Sequence, residues 1–163
     1  VHTEGKAMLK KILAVTIPLS FIILLVGCSP GKIMVHENES PYEFDKTVEL
    51  ITGNAKERGW MVPKTYDFQK SLIAAGQPDP GRIKIIKLCH PKYAGPLLRK
   101  DDSKFIAVMM PCSVAVYEKS DGNTYVTSMN MGLMSSLFSG EVGSTLSQVA
   151  EEDEIILRFV NSE

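Results

Sequence analysis

Two cysteines, a histidine and a group of methionines are the side chains of this sequence best suited to chemistry. Cys89 and His90 are adjacent, Cys112 follows Pro111, and Met109, Met110, Met129, Met131 and Met134 lie around it. Thiolate, thioether and imidazole form the donor set preferred by soft ions such as Cu(I), and they also serve haem iron as axial ligands. His90, Met110 and Met129 are therefore candidate ligands beside the thiols. Pro91 suits the first position of a helix, which would put Cys89 just outside that helix's N-terminus, where the dipole and a neighbouring imidazole favour a thiolate. Cys89 and Cys112 form a candidate thiol pair, able to exchange or to staple the fold if their Cα atoms come within about 7 Å. There is no Cys-x-x-Cys and no Cys-x-x-Cys-His, so thioredoxin-type chemistry loses support and covalent c-type haem is excluded. Packing competes with all of these readings, because methionine commonly fills gaps in a core.

A third cysteine, Cys28, is claimed by different chemistry. Lys10 and Lys11 precede an apolar run over residues 12–26, and Leu25-Val26-Gly27-Cys28 places a small residue directly before the cysteine. This is the pattern of a bacterial lipoprotein signal, with lipid (palmitate among its acyl chains) attached at Cys28. The run has 15 residues and contains Pro18 and Ser20, short of the roughly 20 needed to cross a bilayer. Met8 begins the more typical signal, which makes it a candidate start. The expected organisation is a signal peptide over residues 1–27, a tether over 28–31 and one domain over 32–163. The expected address is the cell envelope, lipid-anchored to the bilayer with the domain in the periplasm. Ser29 favours the outer membrane where a second one exists.

Cleavage would leave 136 of the 163 residues, with 15 basic and 18 acidic side chains. That length suits one domain with a sizeable core. The mild, interspersed negative charge argues against a nucleic-acid partner and against a polybasic membrane patch.

Several local patterns predict the elements that must position the sulfur residues. Residues 32–37 read as a strand with Ile33 and Val35 inward, and Ser40-Pro41-Tyr42-Glu43 reads as a helix start with Ser40 as N-cap and Pro41 at the first position. Phe44, Val48, Ile51 and Ala55 then form one apolar stripe, ended by Gly59. Residues 60–66 should be extended, Asp67 should cap a short helix ending at Gly76, and 82–88 should be a strand broken at Cys89-His90-Pro91. The apolar stretch 105–110 and the alternating stretch 113–118 read as extended halves separated at Pro111, which has no amide to give a ladder. Ser120-Asp121-Gly122-Asn123 reads as a hairpin turn into a strand over 124–129, paired antiparallel. Helices should follow from Met131 and from Gly140, the latter with Val142, Leu146, Val149 and Ile156 inward. His36 is given no role, and Glu151-Glu152-Asp153-Glu154 reads as a solvated helix face. The fold class is α+β, an antiparallel or mixed sheet covered by helices in two layers.

Blocks spread over residues 33–157 resemble the domain of unknown function 302 family of bacteria and archaea. They are Asp45-Lys46-Thr47-Val48-Glu49, Gly59-Trp60, the segment Tyr66 through Leu72, Cys89-His90-Pro91-Lys92-Tyr93-Ala94, the segment Met110 through Glu118, and Met129-Asn130. The resemblance implies a compact α+β fold, often a homodimer, and no agreed activity. Where the family pattern carries asparagine before Pro-Lys, this chain has His90. No nucleophile elbow, zinc-helix motif, P-loop or dinucleotide fingerprint is present. A lipid-anchored binding or interaction domain is the expectation, with thiol exchange through Cys89 and Cys112, or soft-metal or non-covalent haem binding, as its alternatives.

Overall fold

Among the described residues, five strands and six α-helices form through alternation and capping. The computed structural model describes residues 30–161; the signal segment and Cys28 lie outside the described residues. Among those residues no helix is long and apolar enough to cross a membrane. The strands are β1 (Val35–Glu39), β2 (Met61–Asp67), β3 (Ile83–Cys89), β4 (Cys112–Glu118) and β5 (Thr124–Met129). The helices are α1 (Phe44–Glu57), α2 (Phe68–Ala74), α3 (Pro91–Arg99), α4 (Met131–Ser136), α5 (Gly140–Ile156) and α6 (Arg158–Asn161), and a 3-10 helix spans Asp101–Met109. The sheet runs β1-β5-β4-β3-β2. Every neighbouring pair is antiparallel, so the two-layer α+β class holds and the sheet is not mixed.

Period-two alternation decides which face is covered. Ile86 lies opposite Val114 and Val116 opposite Val126, and all four are buried, as expected of one pleated face packed against helices. The stripe Phe44, Ile51 and Ala55 of α1 packs on that face, with Val48 partly buried, joined by Val142, Leu146, Val149 and Ile156 of α5. Removing one such side chain from water contributes about 1.5–3 kcal/mol.

Three expectations are corrected. Ile33 and Val35 are 51% and 40% exposed; Ile33 falls in a 3-10 turn, Pro30–Met34, and β1 starts only at Val35. Helix α1 begins at Phe44 with Glu43 as its N-cap, not at Ser40. The Ser40 amide still bonds the Thr124 carbonyl at 2.8 Å, which continues the sheet. Its hydroxyl is 2.7 Å from that of Thr47. Finally, the apolar stretch before Pro111 is helical, not extended. Its turns are tied back to α3 by the Ser103 hydroxyl, which donates to the Leu97 carbonyl at 2.6 Å, and Asp101 and Asp102 occupy its first turn, favourable at a helix N-terminus.

The remaining local signals act as expected. The Asp67 carboxylate accepts the Lys70 amide at 2.9 Å, and Gly59, Gly76 and Gly122 take the positive φ at which their elements turn.

Candidate functional site

The end of the β3–β4 ladder is roofed by α3, the 3-10 helix and α5, and a small cavity lies there. It has a volume of about 30 Å³ and takes Cys89, His90, Met109, Met110, Cys112 and Met131 into a wall otherwise made by apolar and aromatic side chains such as Trp60, Tyr93, Leu97 and Leu146. That volume holds one or two water-sized objects. A second hollow of about 170 Å³ opens beside it, bordered by Lys87, Val108, Ser128, Met129 and Asp153. Met109, Met110, Pro111, Cys112 and Met131 border both. These residues are therefore the partition between the two spaces.

Register separates the two thiols. Cys112 lies opposite Leu88, so it shares the covered face with Leu88, Val114 and Val116. Cys89 is one residue further along β3, at the strand's last position, and borders the same cavity as Cys112. Both thiols are free. The Cys112 thiol is pushed up to about 11, mainly by burial, with the charges of Asp153 and Cys89 adding to the effect. A thiol in that state is a poor nucleophile at neutral pH.

His90 is engaged as a cap. Its Nδ1 accepts the Lys92 amide at 3.1 Å, which satisfies one of the orphan donors at the start of α3. In neutral imidazole that leaves the proton on Nε2, so the ring has no lone pair left for an ion. The ring stands edge-on to Trp60, 5.4 Å between centroids, and 4.9 Å from Tyr93. Nε2 lies over Gly59, where a Cβ would come within 3.3 Å of it. Asparagine is among the best N-caps, so the His90 departure from the family pattern keeps the capping function.

Of the candidate ligands, Met110 is in the partition, Met129 borders only the outer hollow, and His90 serves the helix. Met134 lines neither space. Among the described residues no three His, Cys, Asp or Glu side chains gather as a metal site, so any ion here would depend on thioethers. A porphyrin fits neither space: both fall well below the roughly 300–1,000 Å³ of pockets that enclose drug-sized ligands.

Sequence reasoning missed Asp153. Burial pushes its carboxyl up to about 6, against the opposing hydrogen bond from Ser128. The signal was present in the spacing. The inward positions of α5 are 142, 146, 149 and 156, and the next member of the 4-3-4-3 series after 149 is 153, so the acid occupies an inward, half-buried position within what reads as a charged run. Glu152, its neighbour, is also committed: Arg58 donates to it from Nε and Nη2 at 2.6 and 2.7 Å. That pair holds α5 against the end of α1.

Residues 36–158 match the family described as Domain of unknown function DUF302. The chain belongs to that family. The solved structures include an uncharacterized conserved DUF302 protein from Bacillus stearothermophilus that is similar to this chain, with a TM-score of 0.69 at 15% identity, over 78% of this chain and 98% of that one. At that identity the likeness concerns the fold. A comparison with curated protein sequences gives no match. The DUF302 domain thus accounts for the architecture, and the chemistry has to be argued from the partition itself.

Proposed function

We propose that this chain is a lipid-anchored binding protein of the bacterial cell envelope, and that its DUF302 domain holds a soft monovalent cation of the Cu(I) class at the sulfur partition. One observation carries the reading: two thiols, Cys89 and Cys112, and three thioethers, Met109, Met110 and Met131, border the same 30 Å³ cavity, and Cys112 shares with the three thioethers the partition to the outer hollow. Thiolate and thioether sulfur select Cu(I) over harder ions. The cavity is of ion size, its walls are apolar, and methionine's flexible side chain lets sulfur adjust to an ion without moving the backbone. Binding replaces the Cys112 S–H bond with an S–Cu bond and releases one proton to solvent. The anchor rests on the lysines, the short apolar run and Cys28.

The test is a titration of the full chain in detergent, under reducing and oxygen-free conditions, with Cu(I) held by a colorimetric chelator. One equivalent should transfer to the protein. Cys112→Ser should weaken transfer at least tenfold, Met131→Leu several-fold, and Cys89→Ser, on the cavity wall but outside the partition, less than Cys112→Ser. Failure to compete with the chelator, or a Cys112→Ser variant that binds as tightly, rejects the ion. The anchor is tested separately: the mature N-terminal peptide should carry acyl mass on Cys28, and an unmodified peptide rejects lipidation.

A further inference from the structure

A further hollow, separate from the two at the partition, lies between the β1 edge of the sheet and the turn from α5 into α6. It has a volume of about 510 Å³ and is bordered by His36, Asn38, Ser128, Asp153, Glu154 and Arg158, with Ile155 and Asn161 completing it. The volume falls in the range of small-molecule sites. We propose that this hollow binds a small zwitterion, with its ammonium group against Asp153 and its carboxylate against Arg158.

The construction of the hollow supports that assignment. His36 lies directly opposite Ser128 in the β1–β5 ladder, so both side chains face α5. Ser128 in turn bonds Asp153, which places a carboxyl on the floor with a hydroxyl beside it. Asn38 follows His36 by two residues and shares its face, and its amide donates to the Asn161 side-chain oxygen at 2.9 Å, closing one end. Charge is distributed in two poles. Asp153 supplies a half-buried negative group whose nearby cation is the His36 imidazole, and Arg158 is an exposed guanidinium. Arg58 and Arg82 are each spent on carboxylates. Among the described residues Arg158 has no such acceptor, so its fork is open to a carboxylate, which it can grip with two parallel hydrogen bonds.

A divalent cation is the obvious competitor for an acidic hollow. His36, Asp153 and Glu154 do not converge as a metal site, and Arg158 at the same rim repels a cation. A simple anion would gain from Arg158 and His36 but face Asp153 and Glu154. Only a ligand carrying both charges meets both poles favourably. Free amino acids and short peptides share that chemistry. None of the methionines of the partition borders this space, although Ser128 and Asp153 border the 170 Å³ hollow as well; Arg158 belongs to this hollow and not to that one, so its variant tests this proposal apart from the soft-cation reading.

The experiment is a thermal-shift and calorimetric titration of the full chain in detergent with four probes: L-alanine, trialanine, ethylamine and propionate. At least one zwitterion should bind, at least tenfold more tightly than ethylamine or propionate. L-alanine binding assigns free amino acids, and binding of trialanine alone assigns peptides. Arg158→Gln, an exposed change that leaves the core intact, should weaken binding at least tenfold, as should Asp153→Asn. Glu154→Gln, at the rim, should change it less than threefold. The proposal is overturned if neither zwitterion binds, if a single-charge probe binds as well, or if Arg158→Gln binds like the parent protein.

Discussion

Cys112 stands directly opposite Leu88, and Cys89 stands one step out of that register. Both border the same cavity and both are free, and one step out of register they are not a directly facing pair. A disulfide needs the two Cβ atoms within about 3.5–4.5 Å. Mild oxidation of the native protein should leave Cys89 and Cys112 unlinked, and the link should form only after denaturation. Peptide mass analysis after oxidation checks this; a native Cys89–Cys112 bridge without loss of thermal stability would refute the register argument.

Burial gives Cys112 a separate signature. With its thiol pushed up to about 11, the thiolate fraction is minute at pH 8 and grows with each step toward pH 10. Alkylation of Cys112 in the folded protein should keep accelerating across that interval, whereas an ordinary thiol near 8.5 approaches a plateau. A rate that levels off by pH 9 contradicts the burial.

His90 acts through α3. Removing its acceptor with His90→Ala should destabilise the domain by about 1 kcal/mol, the usual cost of a lost N-cap, while His90→Asn should stay within about 0.5 kcal/mol of the parent. Denaturant unfolding of both variants decides. Equal losses would show that ring contacts with Trp60 and Tyr93, not the cap, are what His90 contributes.

Two helical glycines should respond oppositely to the same change. Gly53 lies inside α1 with nothing within 4 Å of an added Cβ, so Gly53→Ala should gain roughly 0.5–1 kcal/mol from helix propensity. At Gly143 in α5 an added Cβ would lie 2.2 Å from the Phe138 carbonyl oxygen. Backbone there must move, and Gly143→Ala should destabilise despite the same propensity gain. Paired melting curves test the sign.

What could be read from the chain and what could not divide by the range of the signal. Phe44, Ile51 and Ala55 recur at helical spacing, Asp67 precedes the residues it caps, and Gly122 marks its own turn; each is a local statement, and each matches the structure. Ser40 failed because Glu43, three residues later, takes the N-cap, while the Ser40 amide continues the sheet to Thr124, far away in sequence. The run 105–110 failed because continuous apolarity carries no period, so strand and helix look alike until Ser103 ties the segment to Leu97. For the candidate site, the sulfur residues could be named but not their faces, since those depend on a β3–β4 register that no local pattern sets.

Asp153 is the case where a visible period was overruled by composition, and it carries the last prediction. Its carboxyl is raised from 3.8 to about 6 by burial, so the folded state holds that proton to higher pH than the unfolded state does. Stability should therefore fall as pH rises from about 4 to about 6 and level off above it, the reverse of the contribution from Glu152, which Arg58 holds below its ordinary range. Asp153→Asn keeps an acceptor for Ser128 and removes the titration. At pH 7.5 the variant should exceed the parent by on the order of 2–3 kcal/mol, and at pH 4 the difference should shrink toward zero. Urea unfolding of both proteins at the two pH values checks it. A difference that is the same at both would mean that the carboxylate is hydrated in the fold and that position 153 is not the inward position its spacing marks.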